Sequence, residues 1–154
     1  MKHNTTNHAN RLYVMHSSDR MDWATPKALY DELDSEFRFT IDVCASKWNA
    51  KHKRYWTETD NALIQDWSNE RCFMNPPYGR GIRNWVEKAR IEASRGALVV
   101  GLIPARTDTS YWHDHIQGIA EVRFIRGRVR FERLDSPTVD APFASAIVIW
   151  GPKV

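Results

Sequence analysis

The run "CFMNPPYGR", residues 72–80, sets the tightest limit on how this chain can fold. Pro76 and Pro77 carry no amide proton, and each keeps the residue before it extended, so a strand ladder entering through Cys72 and Phe73 has to stop here. The apolar residues ahead of the prolines predict a strand, and Asn75, Pro76, Pro77 and Tyr78 its carboxyl end. Asn75 brings an acceptor and two donors, the prolines leave their carbonyl oxygens free on a stiff backbone, and Tyr78 brings a flat ring. Such a set suits a grip on a planar amine.

Periodicity on either side supplies the rest of the architecture. In "DWATPKALYDELDSEF", Thr25 is placed as an N-cap and Pro26 as the first helical residue, with Leu29, Leu33 and Phe37 on one face. "FRFTIDVCA" reads as a buried strand and "KRYWT" as a short second one. Behind the prolines, Ile82, Trp85, Val86, Ala89 and Ala93 share a helix face that Gly96 ends. "ALVVGLIPA" is apolar throughout, as expected of a strand covered on both faces. A short helix follows near residues 110–117. "AEVRFIRGRVRFERL" alternates on either side of a turn at Gly127, and "ASAIVIWG" is a further strand, so the chain closes with antiparallel pairs. The sum is α/β, with a mixed, largely parallel sheet and helices on both faces.

Residues 1–20 are polar, hold three of the six histidines and show no period, which predicts a mobile arm ahead of a single domain over residues 21–154. No apolar run approaches the roughly 18 residues of a membrane span. The start has no apolar core of a secretory signal, and a cytoplasmic setting is expected. Cys44 and Cys72 lack a CxxC pattern or a histidine at ligand spacing, so they read as buried thiols, with no metal or disulfide assigned. Most of the seven tryptophans are expected in the core. Net charge is +3, but residues 1–70 hold 9 Lys+Arg against 11 Asp+Glu, whereas residues 71–154 hold 13 against 8. Eleven of those 13 cations are arginine, suited to phosphate and to planar groups. A polyanionic partner and a plain solvated basic surface both fit.

In an α/β sheet, ligands bind in the crevice beyond the carboxyl ends of the strands. Besides Asn75, two such ends stand out. One is "IDVCAS", where Asp42 is followed by the small Cys44, Ala45 and Ser46; the other is "TDNAL", with Asp60. Either aspartate fits a turn or cap more readily than a ligand contact. "NPPY" also matches the (D/N/S)-P-P-(Y/F/W) signature of amino-group methyltransferases. The ordered set "WATP", "DVCAS" with "NAK", "DNAL" and "DW", "NPPYG", "LIPARTDTSYWH", and "GRVRFE" ahead of "APFASAIVIW" resembles the phage-type DNA adenine methyltransferases over residues 23–152. The resemblance implies a Rossmann-like methyltransferase fold, S-adenosylmethionine as cofactor and DNA as partner. It implies Trp23, Thr25 and Pro26 near the methionine end of the cofactor, Asp42, Cys44 and Ala45 in its first loop, and Asp60 near its nucleoside. Asn75, Pro76, Pro77 and Tyr78 are implied to hold the adenine. No glycine-rich GxG loop follows the first strand, a departure from the wider superfamily that the phage-type group shares.

The residues agree with that implication on chemical grounds. An adenine amine shares its lone pair with the ring and is a poor nucleophile. Two acceptors, the Asn75 side-chain oxygen and the Pro76 carbonyl, would take its two protons and aim the pair at an incoming methyl, orientation worth up to about 7–11 kcal/mol. Stacking on Tyr78 adds about 1–3 kcal/mol. The amine is hidden in a duplex, so the base is flipped or single-stranded. Arg126, Arg128 and Arg130 would share one strand face near Arg123 and Arg133, while Arg80, Arg83 and Arg106 follow the catalytic loops; these are the phosphate-contact candidates. Phe131 packs on the base or fills the core. Two rival functions share these features: a protein-glutamine amide methyltransferase, and a DNA-binding module of this fold without turnover.

Overall fold

The apolar run after the second helix becomes the middle strand of a sheet. The computed structural model describes residues 23–134 and 137–152, so the expected arm over residues 1–20 lies outside them. In chain order the elements are α1 (Lys27–Phe37), β1 (Ile41–Asp42), a 3-10 turn (Ala62–Ile64), β2 (Arg71–Met74), α2 (Ile82–Ser94), β3 (Leu98–Pro104), α3 (Ser110–His115), β4 (Glu121–Phe124), β5 (Arg130–Phe131), β6 (Val139–Asp140) and β7 (Ser145–Trp150). The five-stranded sheet runs β1-β2-β3-β7-β4. Its β1–β2 and β2–β3 pairs are parallel, and its β3–β7 and β7–β4 pairs antiparallel. The sheet is thus α/β and mixed, as expected, but parallel at one edge only, because the last strand returns against β3.

Alternation along the strands builds a core on each face. Val99 and Ile103 of β3, Cys72 and Met74 of β2, and Val148 and Trp150 of β7 pack under α2 and α3 through Val86, Ala89 and Trp112. Leu98, Val100, Leu102, Phe73 and Ile147 face the other way, toward Tyr30, Leu33 and Phe37 of α1. Helices therefore cover both faces. Trp67, Trp112 and Trp150 are buried, while Trp23, Trp56 and Trp85 are partly so.

Three local expectations are corrected. The stretch around Gly127 does not fold back on itself: β4 pairs with β7, whereas β5 pairs with β6 in a separate two-stranded sheet. Alternation marks a strand without naming its partner. Arg126, Arg128 and Arg130 consequently do not share a strand face, since only Arg130 lies in β5. "KRYWT" contributes a single bridge, Tyr55 to Asp42, rather than a strand. Finally, Thr25 makes no cap bond and α1 begins after Pro26; the Glu132 carboxylate accepts the Lys27 amide proton at 3.1 Å instead. An anion at a helix N-terminus serves the same exposed amides that a local cap would. Gly96 ends α2 as expected, at φ +114°.

The loop carrying Asp60 is fastened to α2 by a buried charge. Glu92 is 1% exposed and accepts from the Trp67 amide at 2.9 Å, Lys88 Nζ at 2.8 Å and Arg95 Nη1 at 3.1 Å. Lys88 also donates to the Gln65 carbonyl at 2.6 Å and lies over the Trp67 ring. Burial pushes the Glu92 carboxyl upward, but Lys88, the Trp67 amide and Arg95 outweigh it and hold the group below the ordinary carboxylate range. A lowered folded pKa means stability present above the ordinary carboxylate pKa and lost as pH falls through the lowered value. Glu92→Gln leaves Lys88 without its buried partner and should cost about 3 kcal/mol in urea unfolding at neutral pH, with a smaller deficit in acid. A variant of parental stability would remove Glu92 from this account.

Candidate active site

The parallel edge brings two strand ends side by side. Asp42 of β1 is in register with Phe73 of β2, and the Val43 amide donates to the Phe73 carbonyl at 3.0 Å. The segment after Asp42 therefore runs beside the segment that carries Asn75. No helix among the described residues is long and apolar enough to cross a membrane. Nor does any group of three His, Cys, Asp or Glu among them gather as a metal site would require.

Asn75 is held at both ends of its amide. Its Nδ2 donates to Thr25 Oγ1 at 3.0 Å, and its Oδ1 accepts from the Tyr78 hydroxyl at 2.7 Å. The Tyr78 hydroxyl also lies 3.3 Å from the Leu102 carbonyl of β3. Burial, and then the Cys44 side chain, push the Tyr78 hydroxyl well above its ordinary pKa, so it stays a neutral donor. Pro76 is buried and Pro77 half-buried. An amide so fixed keeps an acceptor on the side of Tyr78, and a carbonyl oxygen has a second lone pair for another donor.

Three rings surround Tyr78. Trp23 stacks on Phe131 with centroids 5.2 Å apart, and Phe143 stands edge-on to Tyr78 at 5.3 Å. Tyr78 also meets Phe131 at 6.1 Å and Trp23 at 6.4 Å, both near perpendicular. Phe131 is fully buried and belongs to the core, the second of the two readings open for it. Arg106, at the end of β3, lies over the Phe143 ring at 5.8 Å. Edge-to-face packing of this kind holds ring orientation as well as burying area.

The segment holding Thr25 is clasped from a distance. Ala24 and Glu132 exchange two backbone hydrogen bonds, each 2.9 Å, and the Glu132 carboxylate reaches both the Lys27 amide and Lys51 Nζ, the latter at 3.4 Å. Trp23, Thr25, Asn75 and Tyr78 thus form one contact group, with Cys44 beside it. Pro26 sits one residue before α1. Several other predicted residues have partners of their own or face solvent. Asp60 is exposed, its carboxylate accepting from the Thr57 amide at 2.8 Å and hydroxyl at 3.1 Å. Arg83 bonds Ser110 at 2.9 Å and Asp114 at 3.1 Å, and Arg130 pairs with Asp140 at 3.1 Å. Arg80, Arg126 and Arg128 are exposed. Arg123 is engaged by Glu36 and Glu121, on the far strand β4. Phe143, the Leu102 carbonyl and Glu132 were not predicted. Phe143 leaves a weak trace, an aromatic after a proline just ahead of a strand; Glu132 leaves none, standing 105 residues from the amide it caps.

Asp42 is 2% exposed, and its carboxylate accepts from the Cys44 amide at 3.2 Å and the Lys51 amide at 3.1 Å. The loop after it is bound back by the Trp56 amide on the Asp42 carbonyl and the Ala45 amide on the Trp56 carbonyl, each at 3.0 Å. Asp42 therefore organises the turn through "DVCAS". Burial dominates its titration and raises its pKa to about 7, against the two amides and Lys51.

Comparison with known proteins bears on this site. A family model described as DNA N-6-adenine-methyltransferase (Dam) matches residues 14–152. The chain is similar to the "DNA N-6-adenine-methyltransferase" of Haemophilus phage HP1 (strain HP1c1), 28% identical over 110 residues, covering 70% of this chain and 64% of that protein. It is also similar to the "DNA N-6-adenine-methyltransferase" of Escherichia phage T1, 27% identical over 105 residues, 67% of this chain and 44% of the other. The chain thus spans less than two thirds of the length of these two relatives.

The buried Asp42 makes a stability test that needs no ligand. A raised folded pKa gives stability that is full below the ordinary carboxylate pKa and is lost as pH rises through about 7. Between pH 5 and pH 8 the parent should lose stability relative to Asp42→Asn, which carries no charge there. Thermal unfolding curves that keep a constant offset over this range would contradict the burial argument.

Proposed function

This chain belongs to the DNA N-6-adenine-methyltransferase (Dam) family, and from that premise we propose that it moves a methyl group from S-adenosylmethionine to the 6-amino group of adenine in DNA. The observation that carries the proposal is Asn75, its amide pinned between Thr25 and Tyr78, at the carboxyl end of a parallel strand and against an aromatic cage. On this reading the described residues belong to one Rossmann-like methyltransferase domain, acting in the cytoplasm.

The residues at the parallel edge fit the cofactor in kind. Asp42 supplies a buried carboxylate next to small residues, where a cationic ligand can approach the backbone; such a ligand would favour the anionic form against the burial that raises the pKa. Trp23, Thr25 and Pro26 would lie by the methionine end, Asp42, Cys44 and Ala45 along the first loop, and Asp60 by the nucleoside. When bound, S-adenosylmethionine supplies an electrophilic methyl group.

The chain's own residues do the rest by orientation. Asn75 Oδ1 and the Pro76 carbonyl accept the two amine protons and direct the nitrogen lone pair away from the ring. Pro77 keeps that carbonyl fixed, since its ring restricts the residue before it. Tyr78 and Phe143 give the base its flat contacts. An amine proton held by Asn75 or the Pro76 carbonyl would pass to solvent as the methylated nitrogen returns to neutrality. Arg106 beside Phe143, with Arg80, Arg83, Arg126, Arg128 and Arg130 further out, would meet the phosphates of a flipped or single-stranded adenine.

Asn75→Ala tests the assignment. It removes an acceptor whose value peaks in the transition state, and should slow single-turnover methyl transfer to an adenine-containing DNA about a hundredfold to a thousandfold, with cofactor affinity by calorimetry nearly unchanged. A folded variant that transfers at the parent rate would overturn it.

A further inference from the structure

We propose that β4 pairs with β4 of a second copy of this chain, joining two five-stranded sheets edge to edge across a two-fold axis at Val122. The proposal does not depend on the methyl-transfer reading.

β4 ends the sheet order β1-β2-β3-β7-β4, and β7 is its one strand partner among the described residues. The phase of that ladder decides which polar groups are left over. The Ile125 amide donates to the Ser145 carbonyl at 3.0 Å, and antiparallel pairs alternate between bonded and non-bonded, so residues 121, 123 and 125 turn their amides and carbonyls toward β7. On the other side of β7, the Ala105 amide donates to the Ala144 carbonyl at 2.8 Å, which fits the same alternation. Val122 and Phe124 therefore turn their amides and carbonyls outward. Phe124 is 68% exposed, so this edge is open, and an open edge is a template for another strand.

Charge on an edge strand ordinarily keeps other strands away. Here it admits a second copy in one register. Pairing along the full strand, with Glu121 opposite Phe124, is out of phase, because it sets outward groups of one strand against inward groups of the other. Two in-phase registers overlap most of the strand. An axis at Arg123 places that arginine opposite itself, like charge against like. An axis at Val122 places Glu121 opposite Arg123 of the second copy, and Arg123 opposite its Glu121.

Those charges then stand at non-bonded positions, where facing Cα atoms come to about 4.5 Å and side chains are closest. Both have capacity to spare. Arg123 gives Nε to Glu121 at 2.8 Å and one proton each from Nη1 and Nη2 to Glu36 at 2.7 and 2.8 Å, leaving two of its five N–H groups. Glu121 uses Oε1 for that bond and keeps Oε2. Toward α3, where Phe124 stacks on Trp112, the same register sets the Phe124 ring across from Ala120, a large side chain opposite a small one. At the axis the two Val122 residues exchange backbone hydrogen bonds. The edge lies across the sheet from β1 and β2, so Asn75 stays open.

Sedimentation tests the proposal. The parent should be a dimer at high micromolar concentration and dissociate on dilution and in added salt. Val122→Pro removes an amide proton that β7 does not use, so it should keep the parental circular dichroism and be monomeric. Glu121→Arg and Arg123→Glu each set like charges opposite one another and should be monomeric alone. An equimolar mixture of the two sets opposite charges at both positions and should dimerise. A mixture no more associated than its components overturns the proposal, as does a folded Val122→Pro that remains a dimer. A monomeric parent overturns it too, and slow hydrogen exchange at the Val122 amide of that monomer would assign the edge to another segment of the chain.

Discussion

A strand that must end at a fixed residue is the constraint on which the site depends. Pro76 and Pro77 have no amide proton for a ladder, so β2 closes at Met74 and the backbone beyond it is left to other uses. The parallel pairing with β1 then sets the segment after Asp42 alongside, and the parallel pairing with β3 brings the Leu102 carbonyl within reach of Tyr78. A one-residue slip in either pairing would turn Asn75 toward the opposite face. The chemistry is local, but its register is a property of three strands.

The parts that surround this end are held by contacts between residues remote in sequence. Glu132 clasps the segment of Thr25 and caps α1, and Glu92 ties the loop after Asp60 to α2. Both are carboxylates meeting backbone amides, charge-assisted bonds about twice as strong as neutral ones. Between them they fasten two loops that have little secondary structure of their own. The aromatic cage adds contacts from Trp23, Phe131 and Phe143, drawn from both ends of the described chain.

The sequence was legible where short-range physics decides. The α2 face, the end of β2, the all-apolar β3 and the closing antiparallel strand follow from periodicity and from proline, and the structure has all of them. It was illegible where partners are distant. Alternation around Gly127 marked two strands but could not tell that one joins β7 and the other β6. Thr25 ahead of a proline had the pattern of a cap, and nothing nearby showed that Asn75, 50 residues on, would claim its hydroxyl. The arginines were visible as a basic half, but pairing of Arg123 with Glu36 and of Arg83 with Asp114 depends on the fold.

The central claim is that this end of β2 presents an adenine amine to a methyl donor, and the identity of the methylated nucleoside tests it most directly. DNA treated with the protein and S-adenosylmethionine carrying an isotope-labelled methyl group is digested to nucleosides and separated by mass. The account predicts the label in N6-methyladenine alone, dependent on the protein. Label in a methylated cytosine, or none in DNA from a folded, cofactor-binding protein, would contradict it.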